Sequence, residues 1–105
     1  MEKAKKDRLT AAGWRSGNAA EFLELSAEEA AFVELKLALA DYLRDLRARH
    51  GWTKAQVARR LGSSQSRVAK MEAADASVSL DLLVRSLLTL GASRSEVGSV
   101  IARAA

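Results

Sequence analysis

The sequence predicts an all-α protein of five helices behind a short N-terminal extension, and three observations predict it. The 105 residues include no proline, and alanine and leucine far outnumber valine, isoleucine and the aromatic residues. This composition favours helices over strands. Apolar residues recur at steps of three and four, as they do along one face of a helix. Serine, threonine or asparagine before these stretches and glycine after them supply the helix ends.

Length and composition predict one domain and exclude several kinds of protein. A chain of this size forms a single modest core. It has no cysteine, so disulfide bonds and thiolate zinc sites are excluded. No apolar run approaches the roughly 20 residues that span a bilayer, and the charged N-terminus is unlike a secretory signal. We expect a cytoplasmic protein, with residues 1–25 as an extension and residues 26–105 as the folded domain.

The N-terminal extension gives the weakest structural signal. Trp14 stands between two glycines, which predicts a turn. Residues 19–25 can form a short helical segment that offers Phe22 and Leu25 to a partner or to the body of the protein. Aromatic residues contribute much of the energy of cores and interfaces alike, so both roles stay open.

The long first helix is predicted by a capping box. Ser26 and Glu29 have the spacing in which each side chain caps the backbone of the other, and Gly51 closes the helix after about residue 49. Acidic side chains near its start and basic ones near its end suit the helix dipole. A single apolar stripe runs along it: Phe32, Leu35, Leu39, Tyr42, Leu43 and Leu46.

The twenty residues from Thr53, TKAQVARRLGSSQSRVAKME, predict two short helices that cross closely. Thr53 and Gln56 form a second capping box, Gly62 ends the first helix at a positive φ, and Ser63 or Ser64 caps the second. A small alanine at the crossing lets the two backbones approach. The expected core of this unit is Val57, Ala58, Leu61, Gly62, Val68 and Met71.

The outer side of the same unit is polar and basic. Residues 51–70 carry a net charge of +5, whereas residues 21–50 carry −3. Amide, hydroxyl, guanidinium and ammonium groups on one short helix can read base edges and hold phosphates. Ordinary solvated cations are the simpler explanation, and for the basic N-terminal residues it stays open. Here charge and helical pattern coincide, which favours binding to nucleic acid.

The C-terminal third predicts two further helices. Ser77 or Ser79 caps a helix over residues 80–90, which is apolar on more than one face and is stopped by a glycine. Ser93 and the glutamate three residues later form another capping box, which predicts a last helix over residues 95–104. These helices complete the core, build a subunit contact, or do both.

The middle of the chain resembles the helix-turn-helix of the lambda-repressor-like family, also called Cro/repressor or XRE-type. The resemblance rests on the threonine cap, Val57-Ala58, Leu61-Gly62, Ser-Gln-Ser-x-Val and Met71-Glu72. It implies a five-helix DNA-binding domain with the motif at about residues 53–73, the second helix lying in the major groove. The implied base contacts are Gln65, Ser66, Arg67 and Lys70, and the implied phosphate contacts are Lys54, Gln56 and Ser64.

One position departs from the family pattern. The family often ends the second helix with Glu, any residue and Gly, and this chain has Ala74 in the glycine position. We therefore expect the exit turn one residue later, around residues 74–76.

The whole chain resembles small XRE-type antitoxins of the HigA group, from its Gly-Trp-Arg-x-Gly segment to its final helices. These accompany RelE/ParE-like toxins, so the resemblance implies a homodimer that represses its own operon at a palindromic operator and neutralises a toxin. The first helix extends beyond the length that the family usually needs. Its surplus apolar surface must be covered by residues 19–25, by a second subunit or by another protein. The candidate partner-binding residues are Trp14, Phe22, Leu25 and Phe32.

Two other functions stay open, and catalysis is disfavoured. The protein could be a phage- or plasmid-type regulator without a toxin, or a helical adaptor that does not bind DNA. Its only histidine, His50, has no cysteine or second histidine beside it. The early glutamates are spaced like a solvated helix start, and no glycine-rich phosphate loop occurs. We expect no enzyme, metal or cofactor.

Overall fold

The computed structural model of the protein describes residues 26–104. Over that range the chain forms five α-helices and no strand, which confirms the all-α class. They are α1 (Ala27–His50), α2 (Lys54–Leu61), α3 (Gln65–Glu72), α4 (Leu80–Thr89) and α5 (Arg94–Arg103). The predictions for Trp14, Phe22 and Leu25 lie outside the described residues.

Each helix begins at a polar cap of the predicted kind. The N-caps are Ser26, Thr53, Ser64, Ser79 and Ser93, and three of them form complete capping boxes with the residue three positions later. Ser64 and not Ser63 therefore caps α3, and Ser79 and not Ser77 caps α4. Gly51 and Gly62 adopt left-handed φ values of 67° and 64° after α1 and α2. The predicted starts were correct to one residue, α5 beginning at Arg94 instead of Ser95.

Helix α1 is the spine on which the other helices pack. Its C-terminal half buries Leu39, Leu43 and Leu46 against α3, α4 and α5. The core that results also contains Val57 and Val68 from the two short helices. The N-terminal part of α1 is covered less by the described residues, and Phe32 remains 49% exposed. The predicted stripe is therefore buried only along its second half.

The exit from α3 corrects the expected shift of the turn. Helix α3 ends at Glu72, and Ala74 itself adopts a left-handed φ of 53°. The N–H groups of Ala74 and Asp75 donate to the carbonyls of Met71 and Lys70 at 3.1 and 3.0 Å, the Schellman arrangement. These two hydrogen bonds keep the turn where a glycine would place it, although the left-handed conformation costs an alanine roughly 1–2 kcal/mol.

Candidate nucleic-acid interface

Helices α2 and α3 form a packed pair around the Gly62 turn. Of the six residues predicted for its core, four are buried, Leu61 is half-buried, and the glycine lies in the turn: Val57, Ala58, Leu61, Gly62, Val68 and Met71. The amide of Gly62 donates to the Arg59 carbonyl, and that of Ser63 to the Ala58 carbonyl. This packing fixes the direction of α3 relative to α2.

The four residues predicted to contact bases, Gln65, Ser66, Arg67 and Lys70, are all exposed on α3. Successive helical residues are turned by about 100°. Ser66 and Lys70 therefore lie opposite the buried Val68, at the centre of the outward face. Gln65 and Arg67 lie on its two flanks, with Arg67 on the side of α4.

The three predicted phosphate ligands lie at the starts of α2 and α3. Lys54 is the first residue of α2 and is half-buried. The Oε1 atom of Gln56 accepts the Thr53 N–H at 2.8 Å, and the Oγ of Ser64 accepts the Arg67 N–H at 3.1 Å. Capping thus uses the oxygen acceptors of both side chains. The amide hydrogens of Gln56 and the hydroxyl hydrogen of Ser64 remain available to donate hydrogen bonds to a phosphate.

A comparison with protein families agrees with this geometry. A family model described as a helix-turn-helix domain matches residues 38–99, which is more than half of the chain. The chain belongs to the helix-turn-helix domain family. The match runs from the second half of α1 into α5 and leaves out the part of α1 that carries Phe32. No curated protein matches the chain significantly, and no solved structure does. The family identifies the chain as a DNA-binding domain and, coarsely, as a regulator.

An ion pair that the sequence analysis did not predict anchors α3 of this helix-turn-helix domain. Arg47 of α1 donates from Nε and Nη2 to the two carboxylate oxygens of Glu72 at 2.6 and 3.0 Å, and from Nη1 to the Trp52 carbonyl at 3.3 Å. Glu72 is buried. The hydrogen bond to Glu72 raises the pKa of Arg47, against the lowering effect of burial. The sequence contained one signal, since Glu72 lies four residues from Val68 on the buried face.

A second unpredicted contact holds the segment after α3. The Nζ of Lys36 on α1 donates to the Asp75 carbonyl at 2.9 Å. Burial lowers the pKa of Lys36, and the nearby Asp75 carboxylate partly opposes that shift. Helix α1 therefore fixes α3 at its last residue and in the turn that follows.

Trp52 joins α1 to α2 in a stack of three side chains. The His50 ring lies parallel to the indole at 4.2 Å, and the Arg60 guanidinium lies 4.1 Å from the ring centroid. Two planar groups cannot both stand about 4 Å over one ring on the same side, so they lie on opposite faces of Trp52. Trp52 also packs against the core. The stack stiffens the base of α2, beside the candidate phosphate ligands.

Residues 26–104 contain neither a candidate metal site nor a membrane-spanning helix. No group of three histidine, aspartate or glutamate side chains in that range comes together as a metal site. No helix of the described range is long and apolar enough to cross a membrane.

Proposed function

We propose that this protein is a sequence-specific DNA-binding repressor whose helix α3 enters the major groove. One observation carries the proposal: the exposed side of α3 presents only polar and basic side chains, and residues 51–70 contain five cations and no carboxylate. Phosphate binding requires that excess of positive charge, and base reading requires the amide and hydroxyl groups.

The roles proposed for individual residues follow from their place on α3. Ser66 and Lys70 at the centre of the outward face, with Gln65 beside them, read base edges. Arg67 pairs with a guanine or a phosphate from its flank. Three donors hold the DNA backbone at the helix starts: Lys54, Gln56 and Ser64. The XRE-type assignment within the helix-turn-helix family belongs to this proposal and is supported by the motif around Gly62.

The test is selection of duplexes from a random library by the full chain, followed by binding measurements on variants. Lys70→Ala should cost about 1–3 kcal/mol at one base position, whereas Lys54→Ala should weaken all sequences alike. Arg94→Ala, at the exposed start of α5, is the control and should change neither property. Failure of the wild-type protein to bind any duplex at low salt contradicts the function.

We infer further that the repressor acts as a homodimer on a palindromic operator. One recognition helix reads too few base pairs to discriminate within a genome, and two demand half-sites about 34 Å apart. Leu88 on α4 and Ile101 on α5 support a contact between subunits, because they remain 40% and 39% exposed. Burial of both side chains against a symmetric partner would remove their apolar surface from water.

A second candidate function is neutralisation of a RelE/ParE-like toxin by the same protein. The observation that favours it is the half-exposed Phe32 on the part of α1 outside the family match, in a segment that also carries Glu28, Glu29 and Glu34. An apolar residue among carboxylates suits a basic protein surface. Co-expression with the neighbouring open reading frame should give co-purification and rescue of growth. Phe32→Ala should reduce both, and Lys70→Ala should reduce neither.

A further inference from the structure

A groove of about 610 Å³ separates the recognition helix from α4. A guanidinium group is available on each wall, from Arg67 on α3 and Arg85 on α4. Ser63 in the turn before α3 and Ser79 at the start of α4 add hydroxyl groups. Among the described residues that line it, Asp81 is the only acidic one. The lining therefore has two cations against one carboxylate.

Among residues 26–104, the two cations of this groove have at most a weak ion-pair partner. Arg67 makes no ion pair with any residue of the described range. Arg85 Nη1 lies 3.6 Å from Asp81 Oδ2, and the two side chains are 76% and 75% exposed. An ion pair so exposed and so long is weak. Arg85 can therefore exchange Asp81 for a stronger partner.

With α3 in the major groove, as proposed above, phosphates of both DNA strands would lie along its two flanks. An α-helix with its side chains is about 10–12 Å across, and the major groove is about 12 Å wide, so both flanks of a docked helix approach phosphates. One flank of α3 carries Gln65, on the same side as the buried Glu72, and Arg47 bonds both Glu72 and the Trp52 carbonyl just before α2. The opposite flank carries Arg67 and opens onto the groove.

The turn between α3 and α4 cannot supply the cations for that second strand. Residues 73–79, Ala-Ala-Asp-Ala-Ser-Val-Ser, contain no lysine or arginine. Positive charge on this side of α3 comes instead from the helices, through Arg67 and Arg85.

We propose that the groove between α3 and α4 is a second phosphate site, in which Arg67 and Arg85 hold a phosphodiester of the strand opposite the one held by Lys54 and Gln56. The inference rests on the proposed DNA-binding function. Ser63 and Ser79 add hydroxyl donors at its edges. Asp81 lowers the affinity of the site for phosphate, because it pairs with Arg85 in the free protein and repels the phosphate.

The experiment compares Arg85→Gln and Asp81→Asn with the matched control Arg103→Gln, an exposed arginine at the end of α5. Affinity for a duplex selected by the wild-type protein is measured by fluorescence anisotropy over a range of salt concentrations. Loss of one phosphate contact should weaken binding roughly fivefold at about 0.15 M salt and lower the salt slope by about 1. We expect Arg85→Gln to do this for every duplex, Asp81→Asn to strengthen binding, and Arg103→Gln to change neither.

A second arm separates DNA phosphate from free phosphate. The Nε–H signal of Arg85 is followed by NMR while inorganic phosphate, at constant ionic strength, or the duplex is added. We expect the duplex to shift the signal and inorganic phosphate to leave it in place. If inorganic phosphate shifts it and Arg85→Gln leaves duplex affinity unchanged, the groove is a site for a free anion and the proposal is overturned.

The outcomes distinguish this inference from the function on which it rests. If the wild-type protein binds no duplex, the DNA-binding function itself fails. If it binds and Arg85→Gln behaves like Arg103→Gln, only the second phosphate site is refuted. An Asp81→Asn variant that binds no more tightly than wild type also counts against the site. Thermal melting of each variant checks that the fold is retained.

Discussion

Ala74 has a backbone conformation that is unfavourable for a residue with a Cβ atom. It occupies the left-handed position that closes the Schellman turn after α3, with φ at 53°. A glycine would adopt this conformation without the clash between Cβ and the backbone. The two hydrogen bonds of the Schellman turn hold it in place.

We expect Ala74→Gly to raise the free energy of unfolding by about 0.5–1 kcal/mol, because relief of the left-handed strain exceeds the added entropy of the unfolded chain. Urea unfolding measures the change. Ala73→Gly is the matched control, since Ala73 has an ordinary φ of −90°. Ala73→Gly should not raise the free energy of unfolding. Equal effects of the two substitutions would contradict the proposed strain at Ala74.

Glu96 gives the protein a predictable response to acid. Its Oε1 accepts the Ser93 N–H at 2.7 Å and its Oε2 accepts the Tyr42 hydroxyl at 3.0 Å. The backbone hydrogen bond from Ser93 is the main reason that the pKa of Glu96 is lowered, and the Tyr42 hydroxyl adds to it. A carboxylate with a lowered pKa stabilises the fold above its unfolded pKa, and that stabilisation is lost as pH falls through the folded value.

Glu96→Gln should therefore lose less thermal stability than the wild type when the pH falls from neutral to about 3. Tyr42→Phe removes one of the two hydrogen-bond donors to Glu96, so its loss of thermal stability should lie between those of the wild type and Glu96→Gln. Melting temperatures followed by circular dichroism over that range measure the effect. Identical pH profiles for wild type and Glu96→Gln would remove Glu96 from the acid response.

At the scale of elements, the orientation of α3 depends on contacts that come from α1. Arg47 holds Glu72 at the end of α3, and Lys36 holds the carbonyl of Asp75 just beyond it. Both partners on α1 are far away in the sequence. A buried charge pair of this kind contributes little net stability, but loss of one partner leaves the other charge buried alone.

Arg47→Met should therefore cost about 3–5 kcal/mol of unfolding free energy, because Glu72 loses its cation in a buried place. The double variant Arg47→Met/Glu72→Leu should recover most of that loss, since it buries no unpaired charge. Urea unfolding of the two variants and the wild type measures this. Equal destabilisation by the single and double variants would show that Glu72 is not the source of the cost.

At the scale of the whole molecule, the two exposed apolar side chains of the C-terminal helices lie outside the core. Leu88 and Ile101 each expose about two-fifths of their surface. The outer side of α5 is open at Gly98, where an added Cβ would meet nothing within 4 Å. A second subunit can approach α5 closely there.

We expect Ile101→Glu to convert a dimer into a folded monomer, because a carboxylate at the contact would be desolvated. Light scattering after gel filtration measures the mass, and Arg103→Gln is the control. Operator affinity should fall as well, because one monomer engages only one half-site. A wild-type protein that is monomeric at high concentration would contradict the proposed subunit contact.

The sequence by itself determined the class of the fold, the starts of the described helices to within one residue, and the helix-turn-helix family. Caps and turns depend on residues within three or four positions of one another, so Ser26 with Glu29 and Thr53 with Gln56 could be recognised directly. The polar side of α3 could be predicted because Val68 and Met71 mark its opposite side. The HigA-type role and the contacts to bases stay predictions.

Only the tertiary structure decided which distant side chains meet. The Arg47–Glu72 pair, the hold of Lys36 on the turn, and the groove that joins Arg67 to Arg85 each depend on how helices cross. Crossing is set by the packing of the whole core, and no local pattern encodes it. The left-handed Ala74 lies beside one such contact, because Lys36 of α1 holds the next carbonyl, that of Asp75.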